Sequence, residues 1–253
     1  MPKYLTIKQE AKKNTANMFI DGEIVTDEWD DTDTSAAGFR DALKEIGDVK
    51  TINLHINSPG GAVFEGIAIC NMLKQNSANI NVYVDGLAAS IASVIAMSGD
   101  TIYMPANAML MIHNPWTMAV GNAEELRKQA NALDRITQAS VETYLAKAGD
   151  KLDEKTLKQL MDDETWLTAQ EAVDYGLADE VLGANKVAAS IDKRFMQRYR
   201  NVPEQLVDQV KQKATNKTDD IAKEFKKINE QARAENETLG LSLYRLKEDL
   251  LNG

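Results

Sequence analysis

The stretch Thr51-Ile52-Asn53-Leu54-His55-Ile56-Asn57 alternates strictly, with Ile52, Leu54 and Ile56 on one side and Asn53, His55 and Asn57 on the other. Successive side chains of a strand point to opposite faces, so this period of two marks a half-buried β-strand. The strand breaks at Ser58-Pro59-Gly60-Gly61, and a helix follows to about Lys74. The pattern then recurs. Ile80–Val84 reads as a strand, Leu87–Met97 as a helix, and Thr101–Met104 and Ala108–Ile112 as two more short strands. The helix is apolar all round, which marks it as buried. Repeated strand–helix units of this length predict an α/β domain.

The flanks fit that frame. Met18–Val25 reads as a first strand and turn, followed by an acidic loop from Asp27 to Asp33. Thr34-Ser35-Ala36-Ala37 opens a helix through Phe39, Leu43 and Ile46, which Gly47 ends. Asn122-Ala123-Glu124-Glu125 has the form of a capping box and starts a long helix that Gly149 is placed to end. Its stripe is Leu126, Ala130, Leu133, Thr137, Val141, Tyr144 and Ala148. A shorter helix spans about Asp153–Met161. Thr168-Ala169-Gln170-Glu171 is a second capping box, Gly176 stops that helix, and Asp179–Leu182 is a last strand.

After about Gly183 the character changes. Two narrow apolar stripes, Ile221, Phe225, Ile228 and Ala232, then Leu239, Leu243, Leu246 and Leu250, run through densely charged sequence. Helices of this kind cannot bury themselves alone. They read either as a solvated or disordered tail or as a partner-binding or self-associating segment.

A chain of 253 residues has enough length for one sizeable core and an appendage. The net charge of −10 argues against a nucleic-acid partner held through phosphates. Residues 200–253 carry ten basic and ten acidic side chains, so the whole excess lies in residues 1–199. No apolar run is long enough to span a membrane, and the N-terminus lacks the apolar core of a secretory signal. The single cysteine, Cys70, fits a reducing cytoplasm and reads as a small buried hydrophobe. With two histidines and one cysteine far apart, no metal site is expected.

The chemistry centres on Ser90. It stands in Asp85-Gly86-Leu87-Ala88-Ala89-Ser90-Ile91-Ala92-Ser93, where a strand gives way to small residues. Gly86 allows a tight turn, and Ala88 and Ala89 leave space around the hydroxyl. A serine in the first turns of a helix lies near free backbone N–H groups, which favour negative charge. Gly60 and Gly61 allow close approach to a ligand, so the N–H groups of Gly61 and Ile91 are candidates for an oxyanion hole. Taken alone, Pro-Gly-Gly is only a turn, and no Gly-Lys-Ser/Thr follows to make it a phosphate loop.

A serine nucleophile needs a base. His113 ends a strand and leads into Asn114-Pro115, whereas His55 projects from mid-strand, so His113 is the better candidate. Asp162, Asp163 and Glu164 offer acids to orient it, although such a cluster is more often a solvated turn.

Four motifs occur in order: Ile56-Asn57-Ser58-Pro59-Gly60-Gly61, Gly86-Leu87-Ala88-Ala89-Ser90, Met111-Ile112-His113-Asn114-Pro115, and Trp166-Leu167-Thr168-Ala169-Gln170-Glu171-Ala172 continuing to Asp179. Together they resemble the proteolytic subunit of the Clp protease, and most of all its phage-encoded head-maturation branch. The resemblance covers about residues 17–183. Residues 1–16 are then an N-terminal segment and 184–253 a linker and charged helical tail, scaffold-like or partly disordered.

The resemblance implies a ClpP/crotonase-like fold of stacked ββα units. It implies Ser90 as nucleophile, His113 as base, and an acid two residues before Trp166, which is Glu164. The family usually carries Asp there, so Asp163 is the alternative acid. Asp163 stands where the family usually has an Arg linked to ring assembly. Asn114, Trp116 and Met118, with Gly60, fall in the implied peptide-binding site; Trp116-Thr117-Met118 replaces the usual Leu-Gly-Gly, so peptide preference does not transfer.

The expected activity is that of a serine endopeptidase working through an acyl-enzyme, with no cofactor and no metal. The implied partners are further copies of the chain in stacked rings, joined by the helix Asn122–Ala148, and peptide or protein substrates, namely phage scaffold and capsid proteins. The expected compartment is the bacterial host cytoplasm or the inside of a phage prohead, with neither nucleic acid nor membrane as partner. One alternative is the proteolytic subunit of a cellular ATP-dependent Clp protease fed by an AAA+ unfoldase. A crotonase-type acyl-CoA enzyme is disfavoured by the Ser90–His113 pairing. The alternative of another class is a non-catalytic assembly or scaffold subunit.

Overall fold

In the computed structural model, residues 14–184 and 199–203 are described, all within one compact unit of the chain. The elements run β1 (Thr15–Ile24), α1 (Ala36–Ile46), β2 (Thr51–Gly61), α2 (Val63–Lys74), β3 (Asn79–Ala89), α3 (Ile91–Ala96), β4 (Thr101–Pro105), β5 (Met109–Ile112), α4 (Ala123–Ala148), α5 (Glu154–Asp162), β6 (Thr165–Thr168), α6 (Ala169–Asp174) and β7 (Glu180–Leu182). This is a mixed α/β fold. Strands β1-β2-β3-β4-β7 form a parallel path.

The alternation in β2 becomes two unlike faces. Ile52, Leu54 and Ile56 are fully buried in the main core with Met18, Ile20, Val82 and Val84 of the neighbouring strands. The other face is half-buried and polar. Parallel pairing in register sets Asn17, Asn53 and Asn81 side by side, and their side-chain amides hydrogen-bond at 2.9 and 3.1 Å. One step on, the same register stacks the rings of Phe19, His55, Tyr83 and Tyr103 at centroid spacings of 4.8–5.0 Å.

β3 forks. Its first half, Asn81–Tyr83, pairs with β4, while its second half, Leu87–Ala89, pairs with β5. β5 in turn pairs antiparallel with β6. The fork therefore builds a short second arm of sheet, with a small core of its own around Leu87, Ala89 and Met111.

Several expected boundaries move. β2 does not break at Ser58 but continues to Gly61, because Ser58 pairs with Ala88 and Gly61 with Ile24. The helix expected from Leu87 begins at Ile91, since Leu87–Ala89 are taken into the ladder with β5. Small residues serve a tight strand as well as a helix, and the pairing partner decides. The first strand runs through Gly22 without a turn; a register shift between Asp21 and Glu23 absorbs that glycine, at φ 93°. β6 falls where the sequence signals only the approach to a capping box. Its four residues are too short for a periodic signal, and it exists because β5 offers an edge.

The capping signals form as the sequence indicates. Asn122 and Thr168 each close a capping box, and Ser35 accepts from the Gly38 N–H. In α4 the apolar stripe is covered only near its end, by burial of Val141, Tyr144 and Ala148; Leu126, near its start, stays 43% exposed. Among the described residues no helix is long and apolar enough to cross a membrane.

Candidate active site

The forked arm brings three sequence-distant residues to one end. Ala89 is the last residue of β3 and pairs with Met111, so Ser90 and Ile112 leave the arm together. Ile112 ends β5 and pairs with Thr165, the first residue of β6. His113 therefore follows β5 just where Glu164 precedes β6. The register alone places Ser90, His113 and Glu164 at a single rim, formed by the carboxyl ends of β3 and β5, where α/β sheets generally hold their ligands.

Ser90 makes the turn between β3 and α3 with φ 55° and ψ −129°. An L-residue pays about 1–3 kcal/mol to hold such a backbone. The surroundings impose it: the Ser90 N–H donates to Met111 O at 2.9 Å, and its own carbonyl accepts from Ser93 N at 3.0 Å and Ser93 Oγ at 2.5 Å. Ser93 Oγ also meets the hydroxyl of the buried Tyr144 at 2.7 Å, tying α4 to the turn. Burial drives the Tyr144 phenol far above its ordinary value, so it stays a neutral hydrogen-bonding group.

The sharp turn presents Ser90 Oγ to His113 Nε2 at 2.7 Å. With the ring proton on Nδ1, Nε2 accepts the serine hydroxyl. Burial, first of all, lowers the His113 pKa; the Glu164 charge raises it, and the Arg200 cation lowers it again. A lowered pKa keeps the imidazole neutral and able to accept a proton near neutral pH.

Glu164 is 4% exposed and itself has φ 51°, just past the end of α5. Its carboxylate is not given to His113: among the described residues no hydrogen bond joins the two. Instead Oε1 accepts the backbone N–H groups of Arg200 at 2.6 Å and Asn201 at 2.9 Å. The alternative acid, Asp163, is exposed and accepts from Gln159 Nε2 at 2.8 Å.

The glycine turn lies against the serine. Gly60 has φ 89°, and a Cβ there would meet Ala89 O at 2.7 Å and Ser90 Cβ at 2.8 Å. At Gly61, φ 148°, a Cβ would lie 2.0 Å from Ile24 O. Only glycine fits either place. Ile91 is the first residue of α3, so its N–H has no intrahelical acceptor.

A cavity of about 210 Å³ opens beside this group, lined by Gly61, Ser90, His113 and Trp116 among others. Trp116 is 53% exposed. Met118, also expected at the site, is 89% exposed and does not line the cavity; Asn114 turns to Asp162, with Nδ2 to Oδ1 at 2.6 Å. Glu23, Val63 and Tyr199 line it without any sequence signal that points to them. Nothing in the local pattern around Tyr199 marks a role here, because it follows Gly183 in a stretch that reads as linker and tail.

The rival histidine is elsewhere. His55 Nδ1 meets Asp85 at 2.9 and 3.0 Å on the outer face of the sheet. Cys70 is buried in the core beside Val94 O, and burial raises its thiol pKa, which keeps it protonated.

A forked α/β sheet holding a serine and a histidine in contact at its strand ends defines the class. The sequence matches the profile of the family described as Clp protease over residues 8–185, and the chain belongs to that family. It is also similar to the "ATP-dependent Clp protease proteolytic subunit 1" of Protochlamydia amoebophila (strain UWE25), with 34% identity over 139 residues. That match covers 53% of this chain and 66% of the relative, so the chain spans just under two thirds of that protein's length.

Proposed function

We infer that this chain is a serine endopeptidase, and the observation that carries the inference is the 2.7 Å contact between Ser90 Oγ and His113 Nε2 in a member of the Clp protease family. In the first step Ser90 Oγ attacks the peptide carbonyl carbon while its proton passes to His113 Nε2. The carbonyl oxygen takes up negative charge, for which the N–H groups of Gly61 and Ile91 are the donors; one such donor is worth about 3–4 kcal/mol in the transition state. His113 then gives the proton to the leaving amine, and an acyl group remains on Ser90. Water repeats the sequence and releases the acid. Glu164 takes the role of the acid that orients His113 and balances its charge once its carboxylate is released from the Arg200 and Asn201 N–H groups that hold it here. Nothing in this cycle calls for a metal or a cofactor.

For the biological role we propose maturation of a phage prohead by cleavage of scaffold and capsid proteins, within a homo-oligomer of stacked rings. Support comes from the departures at Asp163, Glu164 and Trp116-Thr117-Met118, and from the charged sequence after Gly183. The uncovered first half of the α4 stripe is a surface for another copy. The relative's name favours a second role, as the proteolytic subunit of an ATP-dependent machine.

A fluorophosphonate serine probe tests the chemistry. It should label Ser90 in the full chain and fail to label Ser90→Ala; the absence of Ser90-dependent label both in the wild-type chain and in Tyr199→Ala/Val202→Asp would refute the peptidase. Degradation of a folded protein that requires an added AAA+ unfoldase and ATP would select the second role over the first.

A further inference from the structure

Residues 199–203 lie across the candidate site. The Tyr199 ring meets the His113 ring edge-on at 5.6 Å and the Trp166 ring at 5.8 Å. Its hydroxyl donates to Pro59 O, the carbonyl just before the Gly60-Gly61 turn. The next two N–H groups take Glu164 Oε1, Asn201 Nδ2 donates to Asp163 O at 2.7 Å, and Val202 packs with Tyr199 on the small core of Leu87, Ala89 and Met111.

We propose that Tyr199–Val202 is an intrasteric strap that holds the enzyme inactive by engaging Glu164 and walling the cavity beside Ser90. The proposal rests on the serine-peptidase function above. The strap engages both things the reaction needs. It bonds the acid that must orient His113, and it places an aromatic ring at the wall of the peptide site. Its grip is local and reversible: hydrogen bonds at the rim and two half-buried side chains, against a main core that it does not enter. Trp166, whose ring the strap's Tyr199 meets edge-on, keeps its Nε1 buried with no partner among the described residues. The Arg200 cation, which opposes protonation of His113, leaves with the strap. A substrate chain with its own backbone N–H groups and an aromatic side chain competes for the same contacts, so displacement by substrate is built into the geometry.

The test compares Ser90 labelling by a fluorophosphonate in the full wild-type chain and in full-length Tyr199→Ala/Val202→Asp. The labelling rate should rise about tenfold or more in the variant, the scale of losing one or two net hydrogen bonds and their packing. Asn201→Ala, which removes one exposed side-chain bond, should give a smaller rise of about threefold and guards against misfolding of the double variant. An added peptide of the sequence Tyr199–Pro203 should slow the variant again. The acid limb of the rate should move to higher pH in the variant, a change that a purely structural strap would not produce. Equal Ser90-dependent labelling in both chains overturns the strap and leaves the peptidase standing. A fall in the variants shows instead a brace for Glu164 and also overturns it. No label in any chain removes the peptidase and the strap together.

Discussion

The two histidines sit on the same sheet and lead opposite lives. His55 lies in the middle of β2, stacked between Phe19 and Tyr83, with Nδ1 on Asp85. His113 stands one residue past the end of β5, with Nε2 on Ser90. Among the described residues a hydrogen-bonded His–carboxylate pair forms only at the first. What differs is position along a strand. Mid-strand, both neighbours are fixed by register and the ring becomes one rung of a ladder. Past the strand end, the ring is held by a rigid scaffold yet faces a cavity.

The widest separation should come from removing each ring. His113→Ala should lower peptide hydrolysis roughly 10⁶-fold, the scale for losing a base that acts as a unit with its nucleophile. His55→Phe, which preserves the stack, should leave it within about twofold, as expected of a distant site. Similar losses from both substitutions would erase the distinction.

The acids come next. Glu164→Gln should cost roughly 10⁴-fold in turnover at neutral pH, the cost of a wrongly oriented base. Asp163→Asn, at an exposed side chain held by Gln159, should change turnover about twofold at most. The reverse order would make Asp163 the orienting acid.

The pH profile is subtler. A His113 that serves as the base must be neutral, and burial lowers its pKa below 6.5. Activity should therefore rise with pH through a midpoint below 6.5 and be flat at neutrality; a midpoint above 6.5 would mean that Glu164 outweighs burial. The smallest effect belongs to the ladder. Asp85→Asn should cost at most about 1 kcal/mol by urea denaturation, since the His55–Asp85 pair is partly exposed. Asp21, whose carboxyl is raised by burial and then by the Asp85 charge, should titrate lower in that variant.

Ser90 and His113 were legible as candidates because each is marked locally: one by glycine and alanine, the other by a strand running into Asn-Pro. The α/β class was legible from the alternation in β2 and the helices that follow. The fork was not. Whether Leu87–Ala89 become strand or helix depends on Met109–Met111, a pairing that no local period encodes. β6 and the engagement of Glu164 by Arg200 and Asn201 are hidden for the same reason, being contacts between segments far apart in sequence. Resemblance pointed to Glu164 as the acid, with Asp163 as the alternative; it carried no word of Tyr199.

The fork in β3 also divides the molecule by durability. Leu87, Ala89 and Met111 form a core separate from the one that holds the main sheet together. Small clusters open at lower free energy than large ones. Amide protons of the arm, such as the Ser90 N–H bonded to Met111 O, should exchange with solvent through openings that leave the amides of Ile52, Leu54 and Ile56 on β2 protected. On this expectation the end of the sheet that carries the candidate site is the end that breathes, while the end that carries the fold stays closed.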